Sequence, residues 1–418
     1  MTESPALNLY LLASRLAGPV APMLLRRREA RGKEDPDRMP ERLGVAGLLR
    51  PLGRLIWLHG ASVGEAMSAL PLIKALRRDG ASVLLTTGTV TSATRVAPLL
   101  PEGALHQYAP VDTRQAVRDF LAHWRPNLAI WIESELWPRM IVETSAAGVP
   151  MAMVNARVSE KSAKGWARVP GMAKHLLDAF GLILTQDHET LGRLKALGVA
   201  GHFSGNLKSL VPVPDCDAED LALIKGPLAE RPIWLAASTH AGDEAAAITA
   251  AKRLKDALLI LAPRHPARGD EVAEAVSAAG LNLARRSWRE LANPDTRVWL
   301  ADTLGEMGLW YRLASVTFVG GSLSGVGGHT PFEPVSLGSA IVHGPDVSNF
   351  GPAYAALKAA GGAVEVADGS ALAAEVGRLL SDEPARAAMT EAATGAHKGL
   401  KPDIDDILRQ LLDLMDVV

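Results

Sequence analysis

Short, uninterrupted apolar runs recur along the chain, each followed by a stretch with helical spacing, and this alternation constrains the fold more than any other feature. The runs of the first half are Leu55–His59, Val83–Thr87, Leu128–Ile132, Met151–Val154 and Leu182–Thr185. Helix-like segments such as Ala66–Arg78, Thr113–His123 and Glu189–Leu197 lie between them. A strand that is apolar on both faces needs cover on both faces, and a parallel sheet wound with helices provides it. The pattern restarts at Ile233–Ala237 and continues through Leu258–Leu261, Arg297–Leu300, Val316–Val319 and Ala340–Val342. Between the halves, Leu210–Arg231 carries Pro212, Pro214 and Pro227 and no long apolar run, as an interdomain linker would. Pro384–Val418 reads as two helices. The expectation is an α/β protein of two doubly wound domains with a cleft between them, and ligands of such open sheets bind beyond the carboxyl ends of the strands.

Composition narrows the chemistry. Over 418 residues, 44 basic side chains nearly balance 46 acidic ones, for a net charge of −2. Sequence-independent nucleic-acid binding needs a basic excess that this chain lacks. A single cysteine, Cys216, excludes a disulfide framework, an iron–sulfur cluster and a CxxC zinc site. The 11 histidines contain no HExxH spacing, and neither a P-loop, a GxGxxG fingerprint nor a G-x-S-x-G elbow is present. No metal or cofactor is therefore expected.

The N-terminus differs from the rest. Leu7–Leu25 is a mostly apolar run of 19 residues, close to the ~20 that a spanning helix needs. Arg15 in its middle, with Gly18, Pro19 and Pro22, speaks against a span. Arg26, Arg27, Arg28, Arg31 and Lys33 follow, and residues 1–60 hold ten basic and six acidic side chains, a net +4. The charges follow the apolar run instead of preceding it, unlike a signal peptide. The readings left open are a membrane-surface or shallow anchor helix, an amphipathic helix packed on the domain, and a true span.

Chemistry-bearing residues cluster where apolar runs end. After LIWLH comes His59-Gly60-Ala61-Ser62-Val63-Gly64-Glu65. Glu65, in a first helical turn, has the character of a base toward a hydroxyl nucleophile, but Ser62-x-x-Glu65 is also a capping box. After LAIWI comes Glu133-Ser134-Glu135-Leu136-Trp137-Pro138, a carboxylate pair that either orients an acceptor or favours a helix N-terminus. Arg157 follows MAMV as a fork for an anion or as a partner of those glutamates. Lys208 stands in another polar cluster, GNLK, just before the linker. In the second half, Ser238 and Thr239 end a strand ahead of a helix, where anions bind. Arg264 is locked between prolines in PRHP. Five glycines crowd into Gly320–Gly328, among them Gly320, Gly321 and Gly328, followed by His329 and Glu333. Their backbone N–H groups suit a phosphate, and Glu333 suits ribose hydroxyls.

These blocks, in order, resemble one family: the 3-deoxy-D-manno-oct-2-ulosonic acid (Kdo) transferases of lipopolysaccharide synthesis. The similar stretches are WLHGASVGEA, ESELWP, NARVSEKSAKGW, GNLKS, ASTHAGDE, PRHP, DTLGEMGLWY, FVGGSL, GGHTPFEP and GPDVSNF, spread over most of residues 40–350. RGKEDPDRMPERLG (31–44) is similar to the region after the family's membrane anchor. The resemblance implies a GT-B fold, CMP-Kdo as donor, a lipid A precursor as acceptor, and inverting transfer without a bound metal. It implies Glu65 as general base and Glu135 as a second important acid. Arg264 would be a CMP-phosphate contact, and Gly320, Gly321, Gly328, His329 and Glu333 the donor-binding region. Ser62, Glu133, Arg157 and Lys208 would position the acceptor or its loops. The domains so expected are a membrane-associating segment (1–45), an acceptor domain (46–210), a linker (211–231), a CMP-sugar donor domain (232–395) and a C-terminal helix (396–418). The expected location is the cytoplasmic face of the bacterial inner membrane, peripheral or N-terminally anchored, against an anionic surface. Two alternatives stay open: another nucleotide-sugar enzyme of the same architecture (a lipid-A disaccharide synthase or a 2-epimerase), and a non-catalytic nucleotide-sugar-binding protein.

Overall fold

The computed structural model describes residues 4–210, 213–228 and 231–416. It contains two parallel seven-stranded sheets in two compact units, one of residues 1–211 and 401–418, the other of residues 212–400.

The first unit carries β1 (Leu55–His59), β2 (Ser82–Thr87), β3 (Ala104–Tyr108), β4 (Leu128–Ile132), β5 (Met151–Ala156), β6 (Leu182–Thr185) and β7 (His202–Phe203) in the order β3-β2-β1-β4-β5-β6-β7. Every residue of β1, β4 and β5 is buried, as a sheet covered on both faces requires. Strand order reverses between β1 and β4, where His59 pairs in register with Trp131. The loops leaving those two strands therefore emerge side by side. The last helix, Ile404–Asp416, returns to this unit and buries Ile407 and Leu411 in the same core as the helix Val63–Arg78. Each such side chain contributes roughly 1.5–3 kcal/mol.

The second unit carries β8 (Ile233–Thr239), β9 (Leu258–Pro263), β10 (Leu283–Arg285), β11 (Val298–Leu300), β12 (Val316–Val319), β13 (Ala340–His343) and β14 (Ala363–Glu365) in the order β10-β11-β9-β8-β12-β13-β14. Its reversal lies between β8 and β12.

Three regions differ from the reading of the sequence. The stretch 211–231 is not a bare linker, because it holds a helix, Ala218–Leu228, whose Ile224 and Leu228 pack with Trp299 and Trp310 in the second unit's core. Pro212 lies outside the described residues. The boundary at 396 falls inside one continuous helix, Glu383–Leu400. The apolar run Leu7–Leu25 is two helices, Pro5–Leu16 and Ala21–Glu29, separated by a 3-10 turn at Gly18–Val20, where glycine and proline interrupt the ladder. Among the described residues, no helix is long and apolar enough to cross a membrane.

The first of these helices is fastened to the unit by a buried polar network. Arg139 donates to Ser14 Oγ (3.0 Å), to the Leu11 carbonyl and to Glu143 (2.8 Å). Tyr10 donates to Asp112 (2.7 Å), and Asp112 also caps the backbone N–H groups of Arg139 and Met140. Leu7 is fully buried, while Leu9, Leu12 and Leu16 stay exposed on the same helix.

Candidate functional site

The reversal point of the first unit gathers three carboxylates. Glu65 lies in the first turn of the helix Val63–Arg78, capped by Ser62. Its carboxylate accepts from the Ala61 N–H (2.7 Å) and from the Ser62 hydroxyl (2.9 Å), and its own N–H donates to Ser62 Oγ (3.3 Å). Ser62 thus caps the helix, but the reciprocal half of a capping box is missing, since Glu65 accepts from the N–H of Ala61 and not from that of Ser62; these contacts fix the carboxylate in one position. Glu65 is only 7% exposed. Burial raises its pKa, and the charge of Glu133 raises it further; the two donated hydrogen bonds pull the other way, and Glu135 adds a smaller upward push. A buried carboxylate whose pKa is raised, beside two like charges, has the character of an acid–base group.

Glu133 and Glu135 stand in the loop after β4, and Glu133 has a left-handed φ of 64°, a conformation that aims its side chain out of the strand line at a backbone cost. It pairs with Lys208, so the GNLK cluster joins this site. Asn155, also left-handed at φ 58°, accepts from the Leu207 N–H (2.9 Å) and so anchors the Lys208 turn to the end of β5. Glu135 is exposed and accepts from the Trp137 indole (3.2 Å). Arg157 is half-buried, and its backbone N–H donates to Ser134 Oγ (3.0 Å), which ties the loop after β5 to the loop after β4.

The second unit's reversal point has a different chemistry. Gly320 approaches β8 so closely that a Cβ would sit 2.7 Å from the Ser238 carbonyl oxygen. Gly321 and Gly328 both have φ 73°, which a side chain would strain. Their N–H groups do not point outward as the sequence suggested. Gly320 donates to Ala237, Gly328 to Gly321, and His329 to Gly320, all through carbonyls within the loop and strand end. Asp243, fully buried, accepts from Gly321 N (2.8 Å), Leu323 N (2.9 Å), Ser324 Oγ (3.0 Å) and His240 N (3.0 Å). The glycines thus allow a tight loop, and Asp243 holds it.

Thr239 is likewise turned inward: it is fully buried and its hydroxyl lies 3.4 Å from Glu244 and 3.5 Å from the Ala262 carbonyl. Ser238 is half-buried with a left-handed φ of 54°. His240 and His329 stack, with their Nε2 atoms 3.1 Å apart, and His265 meets His240 edge-on. One imidazole must donate and the other accept. Burial, followed by the nearby Arg264 charge, lowers the His329 pKa to about 4, so this ring is neutral at pH 7. Glu333 opens the short helix Phe332–Ser336; burial raises its pKa, while a hydrogen bond from Tyr311 and the charge of Arg264 oppose the rise. Arg264 itself is exposed after β9. The cluster Arg264–His329–Glu333 is brought together by the fold, with His240, Asp243 and Tyr311 as members that motif reading did not assign. Among the described residues, no group of three or more His, Cys, Asp or Glu is placed to hold a metal ion.

Comparison with known proteins gives these sites a family context. A family profile described as "3-Deoxy-D-manno-octulosonic-acid transferase (kdotransferase)" matches residues 37–211. A 3-deoxy-D-manno-octulosonic acid transferase from Bordetella pertussis is 36% identical over 415 residues, covering 94% of this chain and 96% of its own. Among solved structures, the UDP-GlcNAc 2-epimerase of Neisseria meningitidis aligns with a TM-score of 0.58 at 11% identity, covering 86% of this chain and 99% of its own. A glycosyltransferase from Rickettsia africae aligns with a TM-score of 0.57 at 12% identity, covering 87% and 98%. The structural likeness establishes the GT-B fold and, spanning an epimerase and a transferase, does not choose between activities. The sequence likeness does.

Proposed function

This chain belongs to the 3-deoxy-D-manno-octulosonic acid transferase family, and from that premise we propose that it moves Kdo from CMP-Kdo to a hydroxyl of a lipid A precursor of the lipid IVA type, in lipopolysaccharide core biosynthesis, with inversion at the anomeric carbon. The first unit takes the acceptor and the second the donor. The observation that carries this reading is the state of Glu65: buried, held by Ala61 and Ser62, and raised in pKa by burial and Glu133.

In this reading Glu65 takes the proton of the acceptor hydroxyl as its oxygen bonds to the anomeric carbon. The bond from that carbon to the CMP phosphate breaks with its electron pair going to the phosphate oxygen. Arg264 meets the charge that develops there, and neutral His329, paired with His240, supplies a hydrogen bond from an uncharged ring. Glu333, steadied by Tyr311, takes the ribose hydroxyls. Glu135 and Arg157 orient the acceptor, while Lys208 restrains Glu133. The step as written needs no metal or cofactor.

The proposed location is the cytoplasmic face of the bacterial inner membrane, with residues 1–45 resting on the anionic surface. The exposed leucines of the first helix and the arginines of the second support this placement. Vesicle binding should weaken as salt rises; binding indifferent to salt would point to apolar insertion alone.

The deciding experiment is incubation with CMP-Kdo and lipid IVA, followed by product masses. A product heavier by one or more Kdo residues, with CMP released, supports the reading. An unchanged acceptor sinks it.

A further inference from the structure

A cavity of about 730 Å³ lies within the first unit, a size typical of small-molecule sites. Its lining comes from the N-terminal helices, Arg42 and the segments that follow β1, β2, β3 and β4. Ala17, Ala21, Leu24 and Leu25 belong to the N-terminal helices. Val111 and Met140 come from the segments after β3 and β4. Ala61, Ser62 and Val63 belong to the loop whose Ala61 N–H and Ser62 hydroxyl hold the Glu65 carboxylate. An apolar chamber and the candidate base therefore share one loop.

We propose that this cavity receives an acyl chain of the acceptor, so that anchoring of the chain presents the sugar hydroxyl to Glu65. The inference rests on the transferase reading for the identity of the acceptor. Three observations favour an amphiphile with an anionic head over any other occupant. First, the N-terminal segment that lines the cavity also leaves Leu16, Val20 and Met23 exposed, next in sequence to the lining residues Ala17, Ala21 and Leu24. Second, Arg28 and Arg42 also line it, and both pair with buried Glu34, at 2.6 and 3.2 Å. These pairs fasten the helix Ala21–Glu29 to the segment that follows it and place cationic side chains beside the apolar space. Third, His59 belongs to the lining, is 2% exposed, and has no hydrogen-bond partner for Nε2, whereas its Nδ1 meets Thr86 at 3.0 Å. The wall is apolar where the N-terminal helices, Val111 and Met140 form it and polar where His59, Ser62, Thr89 and Ser92 do, which matches an apolar chain that begins with an ester, amide or hydroxyl group.

The test uses the full-length protein. A dansyl-labelled undecanoic acid is titrated by fluorescence, and acceptor KM is measured for lipid IVA and for its fully deacylated disaccharide bisphosphate. The wild type should bind the probe, release it to lipid IVA, and show a KM at least about tenfold lower for the acylated acceptor. Leu24→Glu and Ala17→Trp, both at exposed positions of the lining, should weaken probe binding about tenfold and close the gap between the two acceptors. Leu9→Glu, exposed but outside the lining, should keep the wild-type probe affinity. Equal KM values in the wild type overturn the proposal whatever the variants do, as does a probe affinity unmoved by both lining variants. If the variants lose the probe while no Kdo is transferred to either acceptor, the chain-binding cavity stands and the transferase reading falls. If transfer proceeds with an acyl-independent KM, the reading stands and the cavity falls.

Discussion

The two units place their chemistry at the same topological position and give it opposite character. In the first, the loops after β1 and β4 carry Glu65, Glu133 and Glu135; in the second, the loops after β8 and β12 carry paired imidazoles and a glycine turn, with Arg264 following the neighbouring β9. Both sites exploit the reversal of strand order, where two adjacent strand ends diverge and leave room for a ligand. The scaffold thus supplies a location, and the side chains on the loops decide between an acidic site suited to take up a proton and a cationic one suited to an anion. The stabilisation differs as well. In the first unit a buried carboxylate is held by a serine cap and left beside like charges. In the second, the buried carboxylate of Asp243 accepts four hydrogen bonds and serves to hold a loop. Glu65 is electrostatically poised, whereas Asp243 is structurally satisfied.

The sharpest way to break this contrast is to remove charge from each site in turn. Glu65→Gln keeps one oxygen to accept from the Ala61 N–H, its amide group can donate to the Ser62 hydroxyl, and the Glu65 N–H still donates to Ser62 Oγ, so the helix cap survives. It cannot take a proton, and kcat should fall by about 10²–10⁴ while CMP-Kdo binding stays near wild type. Turnover close to wild type would reduce Glu65 to a capping residue. Arg264→Ala should act in the opposite sense, weakening donor binding about tenfold to a hundredfold, as loss of a charged hydrogen bond does. Calorimetric titration with CMP measures it directly, and an unchanged affinity would move the donor phosphate away from β9.

How far these sites could be read from sequence also differs between the units. Glu65 and the Glu133–Glu135 pair were legible because each follows an apolar run that ends in a loop, and adjacency of β1 and β4 completes the site. Tyr311 was not legible, since it reaches Glu333 from the helix Met307–Leu313, a contact that only the packed unit creates. The central strands were plain, but β3, β7, β10 and β14 were not. β3 hides His106 and Gln107 by bonding them to Thr87 and Trp124, at 2.9 Å each. β10 carries Arg285, which pairs with Asp302 and Asp270. Edge strands that carry such bonded polar residues lack the continuous apolar signature by which buried strands are found. The inward bonding of the Gly320, Gly321 and Gly328 N–H groups was hidden for a related reason. Composition reports that a loop is glycine-rich, but the direction of each N–H is set by contacts distant in sequence, here to Ala237 and Asp243.

The smallest predicted effect separates the two roles of carboxylates most finely. Lys208 pairs with Glu133, and Glu133 is the main charge acting on Glu65. Lys208→Met removes the compensating cation, so the Glu65 pKa should climb further. Glu65 works deprotonated, and the acidic limb of the kcat/KM profile should therefore move to higher pH, with little change on the plateau. Stability follows the same proton. The folded-state pKa already lies above the ordinary 4.5, so the native state binds the proton more tightly than the unfolded chain. Its contribution is greatest below pH 4.5 and is lost as pH rises through the folded value. Lys208→Met should extend that loss to higher pH, and Glu65→Gln should abolish it. Urea titrations across pH 4–8 compare the three proteins, and an acidic limb that stays put in Lys208→Met would show that Glu133 does not act on Glu65.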